Sequence, residues 1–301
     1  MSGEGAKTAA YADARREGLV AARRFRLPFA RQAWRGAAGG WQGAGAGSSI
    51  DFQDHRAYVP GDDPRHLHWA AYARTGQLTM KLYRAEVSPL VDLVVDASGS
   101  MRAEPLRAAR TESLVAFCLE NAARAGAPLR VYASQGKRIL SVSTDRVRAE
   151  GFWTATGPQA EAPEESGGAG AGPGALSWRA GAMKIWISDL LFSGEPSATL
   201  NAMASGGGCA LLFCPVMAAE AILSERGNVE LTDHEGGGPR RQRIDDALAE
   251  RYRAAYSRHF SLWRDAARRA AVGFARVECA GDLAAALAGE ARAQGVVEVV
   301  A

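Results

Sequence analysis

The sequence predicts an α/β fold, a doubly wound and mostly parallel sheet with helices on both faces, preceded by an irregular or extended N-terminal segment. From residue 89 onward, apolar runs typical of buried strands alternate with segments of helical spacing. Two of those runs lead into carboxylates, Asp96 and Asp189, as expected where parallel strands end at a binding edge. The 301 residues, 47% of them apolar, are enough to cover such a sheet.

Each element follows from the local pattern. The run at 90–96 is β-branched and apolar, and the small residues after Asp96 allow a turn into a helix. Leu106, Leu114 and Phe117 then fall at helical spacing, and Gly126 supplies a helix end. The same reasoning predicts further strands at 129–133, 138–142, 183–191, 209–216 and 274–279, and helices at 104–124, 198–205, 244–271 and 282–294.

The chain divides into an N-terminal part, 1–88, and an α/β domain, 89–301. The first part holds a helix and a segment that we expect to be extended and clamped to the sheet. Residues 157–174 are rich in Gly, Ala, Pro and Glu and predict a surface loop. Residues 217–244 predict an excursion with a short extended piece at 229–232 and a Gly-rich turn.

Composition and charge are typical of a globular cytoplasmic protein. The 36 basic and 33 acidic side chains leave a net charge of +3, which does not indicate a nucleic-acid partner. The four cysteines show no Cys-x-x-Cys spacing and lie in apolar runs, as expected for reduced buried thiols. The sequence has no apolar run of about 18 residues and no signal-peptide core, so we expect no transmembrane segment.

A candidate cation site follows the first strand. Asp96, Ser98 and Ser100 alternate along one tight turn, so their oxygen atoms aim at a common position. Asp189 adds a second carboxylate at the same edge of the sheet. Oxygen ligands of this kind suit Mg²⁺ or Mn²⁺, with Ca²⁺ as an alternative. In the competing interpretation, the serines cap the following helix and Asp96 accepts hydrogen bonds from loop amides.

These residues resemble the metal-ion-dependent adhesion site of von Willebrand factor A domains. The ligands of that site are an Asp-x-Ser-x-Ser loop, a Thr from a later loop and an Asp after another strand. Four of the five positions match the residues just named. In that family the cation keeps an open position for an acidic residue of a partner protein, which implies recognition and not catalysis. The candidates for the fifth position are Thr144, Thr154 and, as our choice, Thr156.

A denser resemblance lies upstream, over residues 49–86. This stretch is similar to the domain-of-unknown-function 58 family of bacterial proteins, whose hallmark is a Phe-x-x-x-Arg-x-Tyr-x-x-Gly-Asp-Asp-x-Arg-x-x-x-Trp block followed by a Lys-bearing strand. The resemblance extends to the C-terminal part, and it implies an adaptor that works with MoxR-type AAA+ ATPases in assembly, maturation or stress responses. The matching positions, called the signature block below, are Phe52, Arg56, Tyr58, Pro60, Gly61, Asp62, Asp63, Arg65, Trp69, Ala73, Arg74, Lys81 and Glu86.

The signature block also has a physical interpretation. Its Pro-Gly-Asp-Asp-Pro run is typical of a tight turn. Charged residues of both signs alternate around this turn, so we expect a partly buried ion-pair lattice that clamps the block to the sheet. The alternative is a partner-binding surface. The charged residues are Arg56, Arg65, Arg74, Asp54, Asp62 and Asp63.

The patterns together predict a non-catalytic interaction protein whose partner supplies an acidic residue to a cation site. The sequence contains neither Gly-x-x-x-x-Gly-Lys-Ser/Thr nor Gly-x-Ser-x-Gly, the motifs of P-loop nucleotide hydrolysis and of the nucleophile elbow. Two other functions stay open. One is a metal-dependent hydrolase that uses Asp96 and Asp189. The other is a nucleic-acid or anionic-lipid binder that uses the arginines of the first 35 residues.

Overall fold

The computed structural model describes residues 2–31, 38–135, 138–157, 174, 176–192, 194–231 and 240–300. Its strands are β1 Phe25–Arg26, β2 Ala38–Ala57, β3 Thr79–Val87, β4 Val91–Asp96, β5 Leu129–Gln135, β6 Arg138–Val142, β7 Met183–Ile187, β8 Cys209–Val216, β9 Gly227–Leu231, β10 Arg240–Ile244, β11 Gly273–Glu278 and β12 Glu298–Val299. Its α-helices are α1 Ser2–Arg24, α2 Trp69–Thr75, α3 Gly99–Ala103, α4 Pro105–Arg124, α5 Thr144–Glu150, α6 Phe152–Thr156, α7 Pro196–Ala204, α8 Asp246–Arg269 and α9 Leu283–Ala286. Short 3-10 turns lie at Phe29–Arg31, Pro64–His66 and Ala218–Ala221.

A six-stranded sheet in the order β11-β8-β7-β4-β5-β6 forms the centre of the structure. Neighbouring strands run parallel except β5 and β6, which form an antiparallel hairpin. From β4 the chain goes first to β5 on one side and later to β7 on the other. The strand order therefore reverses at β4, which places a crevice outside the carboxyl ends of β4 and β7. The predicted doubly wound, mostly parallel sheet is confirmed.

Alternating side chains of β4 enter two separate cores. Leu93 and Val95 belong to the core under α1, α4 and α9, whereas Val94 belongs to the core under α7 and α8. Burial on both faces explains why the sequence of this strand is a continuous apolar run and does not alternate with polar residues.

The segment from Tyr11 to Phe29 shares a core with the α/β domain. Helix α1 packs on α4 at Gly18, where an added Cβ would collide with the backbone oxygen of Ser113. After the helix, β1 pairs with β12 near the end of the chain. The backbone amide of Leu27 then donates to Asn121 Oδ1 at 3.1 Å, and the Leu27 side chain is fully buried. One face of α1 is therefore buried against α4.

Strands β2 and β3 form an antiparallel pair of their own, with the turn at Pro64–His66 and helix α2 between them. This extended hairpin carries the signature block. Among the helices within the described ranges, none combines the length and the apolar character that crossing a membrane requires.

Some local elements differ from the sequence-based expectation. We predicted no helix between β6 and the Gly-rich stretch, but the structure has two there, α5 and α6. The sequence pattern missed them because each is too short to show a helical period. The closing helix begins as α9 and continues as a π turn over Leu287–Ala291, where Gly289 has non-helical dihedral angles. The excursion at 217–244 contains a hairpin of β9 and β10. The predicted loop at 157–174, apart from its two end residues, lies outside the described part of the chain.

Candidate functional site

The two carboxylates singled out from the sequence meet at the crevice between β4 and β7. Asp96 is the last residue of β4, and Asp189 lies two residues beyond β7. Both are buried. The intervening Ser188 donates from its hydroxyl to Asp96 Oδ2 at 2.7 Å. The topology therefore brings together two acidic groups that are separated by most of a domain in the sequence.

Ser98 and Ser100 lie on the turn that follows Asp96. The backbone amide of Ser98 donates to Asp96 Oδ1 at 2.9 Å, and the two serine hydroxyls are 3.1 Å apart. Ser98 occupies the N-cap position of α3, yet its side chain makes no capping hydrogen bond. The capping interpretation is therefore wrong for Ser98, whereas the expected hydrogen bond from a loop amide to Asp96 is present.

The environment of Asp96 disfavours its negative charge. Burial, and after it the charge of Asp189, raises the pKa of Asp96 to about 6. Hydrogen bonds from Ser188 and Ser98 oppose that rise. Because a buried carboxylate beside a like charge is stabilised by a nearby cation, and because the side chains on this turn offer only oxygen atoms, the residues present fit a hard divalent cation.

Asp189 is held by a buried arginine of α4. Arg107 Nη1 donates to Asp189 Oδ2 at 2.8 Å and to the backbone oxygen of Ser100 at 2.9 Å. Both charged side chains are only 3% exposed. The second guanidinium nitrogen pairs with Glu220, on the 3-10 turn after β8. The other oxygen of Asp189 accepts from the amide of Leu191 at 3.1 Å. One guanidinium thus joins the serine turn, the second carboxylate and the turn after β8.

We did not foresee Arg107 and Glu220 from the sequence, although the helix pattern contained a signal for the arginine. Leu106, which we placed on the buried face of this helix, is 55% exposed, and Arg107 takes the buried position one residue later. Arg107 stands seven residues before Leu114, on the same buried stripe. A charged residue on the apolar stripe of a helix indicates a buried ion pair.

The three threonines proposed as a fifth ligand lie in different places. Thr144 donates to the backbone oxygen of Leu129, at the amino end of β5, and therefore lies at the opposite edge of the sheet from Asp96. Thr154 is exposed. Thr156 is buried on α6, and its hydroxyl lies 3.5 Å from Arg102 Nη2, two residues beyond Ser100. Of these three threonines, Thr156 contacts the helix that begins in the serine turn.

A buried glutamate attaches α6 to α4. Glu112, which is 1% exposed, accepts hydrogen bonds from the amides of Phe152 and Trp153 at 2.8–3.3 Å. Arg15 of α1 lies 3.8 Å from the same carboxylate. Burial raises the pKa of Glu112 to about 7, against the effect of these amides and of Arg15. Glu112 therefore fixes the short helix that carries Thr156, a role that sequence reasoning missed.

The ion pairs of the signature block are local. Both terminal nitrogens of Arg56 bind Asp62, at 2.7 and 2.6 Å, and Arg65 binds Asp63 at 2.8–3.2 Å. These pairs close turns within the block, and the arginine of each is exposed, so the described pairs do not form the partly buried clamp to the sheet that we expected. Arg74 likewise bonds a backbone oxygen of its own helix. The side chains of Phe52, Asp54 and Glu86 lie outside the described part of the structure.

The local pairs hold their carboxylates in the ionised form. Hydrogen bonds from Arg65 lower the pKa of Asp63 to about 2, and the hydrogen bond from Arg56 lowers the pKa of Asp62. Gly61, with φ of +105°, makes the turn that brings Asp62 back to Arg56. The charged side chains of this turn are thus paired with one another over short distances in the sequence.

Several large apolar side chains of this block face solvent. Trp69 is 60% exposed, and its ring meets that of Tyr72, also exposed, edge to face at 6.4 Å. Exposed tryptophan and tyrosine side chains are characteristic of binding surfaces. Tyr58 and Lys81 are half-buried. The other exposed apolar residues here are Val59 and Leu78.

Comparison with known proteins gives a family and a distant structural neighbour. A family model described as "Protein of unknown function DUF58" matches residues 54–261. No curated protein matches. Among solved structures, one match is the crystal structure of the conserved hypothetical protein BatB from Bacteroides thetaiotaomicron, with a TM-score of 0.39 and 15% identity, covering 68% of this chain and 98% of that chain. That likeness is too distant to carry an argument about the site.

The raised pKa of Asp96 predicts how stability depends on pH without divalent cations. The folded protein retains the Asp96 proton between about pH 4 and 6, whereas the unfolded chain releases it. Protonated Asp96 therefore adds on the order of 2–3 kcal/mol to the free energy of unfolding below about pH 4, and this contribution is lost as the pH rises through 6. In urea unfolding with a chelator, the difference between wild type and Asp96→Asn should show this slope. Parallel pH profiles would contradict it.

Removal of the Glu112 carboxylate should loosen α6. Glu112→Ala leaves the buried amides of Phe152 and Trp153 without their acceptor, and we expect a loss of about 2–4 kcal/mol in unfolding free energy. Amide hydrogen exchange at Phe152 and Trp153 should accelerate. Glu120→Ala, at the partly exposed end of the same helix, is the control. Equal stability and exchange in the two variants would refute the anchoring role of Glu112.

The two kinds of arginine pair should respond differently to truncation. Arg56→Ala removes an exposed local pair and should change the Tm by no more than about 2 °C. Arg107→Ala leaves Asp189 and Glu220 without their counter-charge in the interior and should cost about 3–5 kcal/mol. Thermal unfolding of both variants provides the comparison. A large fall in the Tm of Arg56→Ala would contradict the local pairing and favour a clamp to the sheet instead.

Proposed function

Because this chain belongs to the DUF58 family of proteins of unknown function, we propose its function from geometry, as a non-catalytic adaptor that holds an acidic residue of a partner protein at a divalent-cation site. The observation that carries the proposal is the burial of Asp96 beside Asp189, next to two serine hydroxyls. This cluster lies at the point where strand order reverses, which is where open parallel sheets bind ligands.

Asp96, Ser98 and Ser100 would hold the cation, with Asp189 as the second acidic group and Thr156 as the candidate fifth ligand. Asp189 accepts one hydrogen bond on each oxygen, which leaves it further acceptor capacity. Mg²⁺ and Mn²⁺ suit this set of ligands, with Ca²⁺ as the alternative. When bound, the cation supplies an electrophilic position for a carboxylate oxygen.

The surrounding residues tune the charge of this site. Arg107 pairs with Asp189 and Glu220, and Asp96 lies beside Asp189 without an arginine of its own, so the ionised cluster has an excess of negative charge. A divalent cation balances that charge. Arg107 also fixes the direction of the Asp189 carboxylate, because it holds one of its oxygens at 2.8 Å. We therefore assign Arg107 a positioning role.

The second candidate function is a metal-dependent hydrolase at the same carboxylates. Hydrolysis needs a group that can take a proton from water beside the cation. Asp96, whose raised pKa would suit a base, is itself placed as a ligand of the cation, and the group that faces Asp189 is Arg107, a guanidinium that stays protonated. The geometry therefore favours recognition of a ligand over activation of water.

Binding of nucleic acid or anionic lipid through the N-terminal arginines is less well supported. Arg15, Arg16 and Arg26 of that cluster form ion pairs with carboxylates of the same chain. Their charge is thereby partly neutralised, which weakens attraction to phosphate.

An adaptor must contact two proteins, and the chain offers surfaces of two kinds. One is the cation site, which suits a carboxylate. The other is the exposed aromatic pair of Trp69 and Tyr72 in the signature block. A MoxR-type AAA+ ATPase is the partner that the family resemblance implies, with a role in assembly, maturation or stress responses.

Calorimetric titration of Mg²⁺ and of Mn²⁺ tests the cation site. Wild type should bind one equivalent of the cation. Asp96→Ala should lose saturable binding, because it lacks the carboxylate that is proposed to hold the cation. Asp13→Ala, which removes an exposed carboxylate from α1, is the matched control and should bind as wild type does. Equal binding by Asp96→Ala and wild type, or no binding by wild type up to about 10 mM cation, would contradict the proposal.

A further inference from the structure

A groove lined by aromatic side chains begins next to the candidate cation site. It has a volume of about 330 Å³ and lies between the loop after β7 and the N-terminal half of α8. Leu191, at its rim, is 39% exposed. The lining residues are Leu191, Phe192, Tyr252, Ala255, Tyr256 and His259.

Hydrogen bonds tie both walls of this groove to the cation-site residues. On the loop wall, the amide of Leu191 donates to Asp189, and the ring of His259, from the α8 wall, lies 2.7 Å from the backbone oxygen of Leu190 in this loop. On the other wall, the Tyr252 hydroxyl donates to the backbone oxygen of Glu220 at 2.8 Å. Glu220 is the partner of Arg107, which holds Asp189. The groove residues are therefore linked to the cation-site residues by hydrogen bonds, through Asp189 on one side and Glu220 on the other.

The walls of the groove rest on the buried core. The rings of Phe192 and Trp263 meet edge to face at 5.7 Å, and those of Tyr256 and Phe260 meet at 4.8 Å. Trp263 and Phe260 belong to the buried core between α8 and the sheet. Because the lining side chains rest on core side chains, a ligand would enter a groove that already exists, at a low cost in conformational entropy.

The chain around the groove is basic. Residues 250–259 of α8, which include the lining residues of that helix, contain three arginines and one carboxylate. Glu250 is the acidic group among the α8 residues 250–258, against Arg251, Arg253 and Arg258, and all four are exposed. This charge is complementary to an acidic segment of chain.

We propose that the groove binds a bulky apolar side chain of an acidic partner segment, and that a carboxylate of the same segment reaches the cation site. This inference rests on the proposed function and adds the chemistry of the partner, a short run in which an acidic residue stands close to an aromatic or large aliphatic residue. The aromatic walls take the apolar group, the arginines attract the acidic chain, and the cation fixes its carboxylate. A phosphate backbone suits this groove less well, because it offers no apolar side chain to the aromatic lining.

A library of phage-displayed random dodecapeptides, selected on wild-type protein in Mg²⁺, is the probe. Selected sequences should combine acidic and bulky apolar residues. Their synthetic peptides are then measured by fluorescence anisotropy on a variant that fills the groove, Ala255→Trp, and on its neighbour Ala254→Trp. Both alanines are exposed on α8, but only Ala255 lines the groove, so neither change should disturb the fold.

The proposal predicts that Ala255→Trp weakens binding roughly tenfold or more while Ala254→Trp does not. Equal affinity for both variants would overturn the groove, even if binding still required Mg²⁺ and Asp96. Binding that Ala255→Trp abolishes but that a chelator and Asp96→Ala leave unchanged would support the groove and refute the cation function. Selection of basic peptides, no selection at all, or tighter binding of a labelled oligonucleotide than of any peptide would overturn the inference. Self-association in sedimentation that Ala255→Trp abolishes would also overturn it, in favour of a second copy as the occupant.

Discussion

Two carboxylates buried side by side at the carboxyl edge of the sheet are the constraint on which the candidate site depends. The fold creates this situation, because reversal of strand order at β4 brings the end of that strand next to the end of β7. Arg107 offsets part of the cost by pairing with Asp189, but Asp96 retains a raised pKa. A site with such residual negative charge is suited to a cation, and a cation in an oxygen-lined turn is suited to hold a carboxylate.

Helix α4 connects this site to the rest of the molecule through a row of buried polar side chains. Arg107 reaches the second carboxylate, Arg110 bonds the backbone oxygens of Cys279 and Gly281 after β11, and Glu112 anchors α6. Near the end of α4, Asn121 Oδ1 accepts a hydrogen bond from the backbone amide of Leu27, in the segment that follows α1. A helix whose buried polar side chains hydrogen-bond four separate segments holds those segments in a fixed relation, because each unpaired group would be costly in the interior.

The sequence was most informative where the determinants are local. A strand buried on both faces must be a continuous apolar run, and the Asp-x-Ser-x-Ser turn shows its spacing directly, so β4 and the serine turn were predictable. The partners of Arg107 and Glu112 are not, since Asp189 is 82 positions from Arg107 and Phe152 is 40 from Glu112. The signature block misled us for the converse reason. Its alternating charges are compatible with many pairings. The pairs that form are those that close short loops at a low cost in conformational entropy, since Arg56 and Asp62 are only six positions apart.

The most direct measurement is anomalous diffraction from a crystal of this protein equilibrated with Mn²⁺, recorded together with a crystal of Asp96→Ala treated in the same way. The account predicts an anomalous difference peak within about 2.2 Å of Asp96 and the hydroxyl oxygens of Ser98 and Ser100 in the wild-type crystal, and no peak there in the variant. A cation found elsewhere, or an unchanged peak in Asp96→Ala, would contradict the central claim that the buried carboxylate creates the cation site.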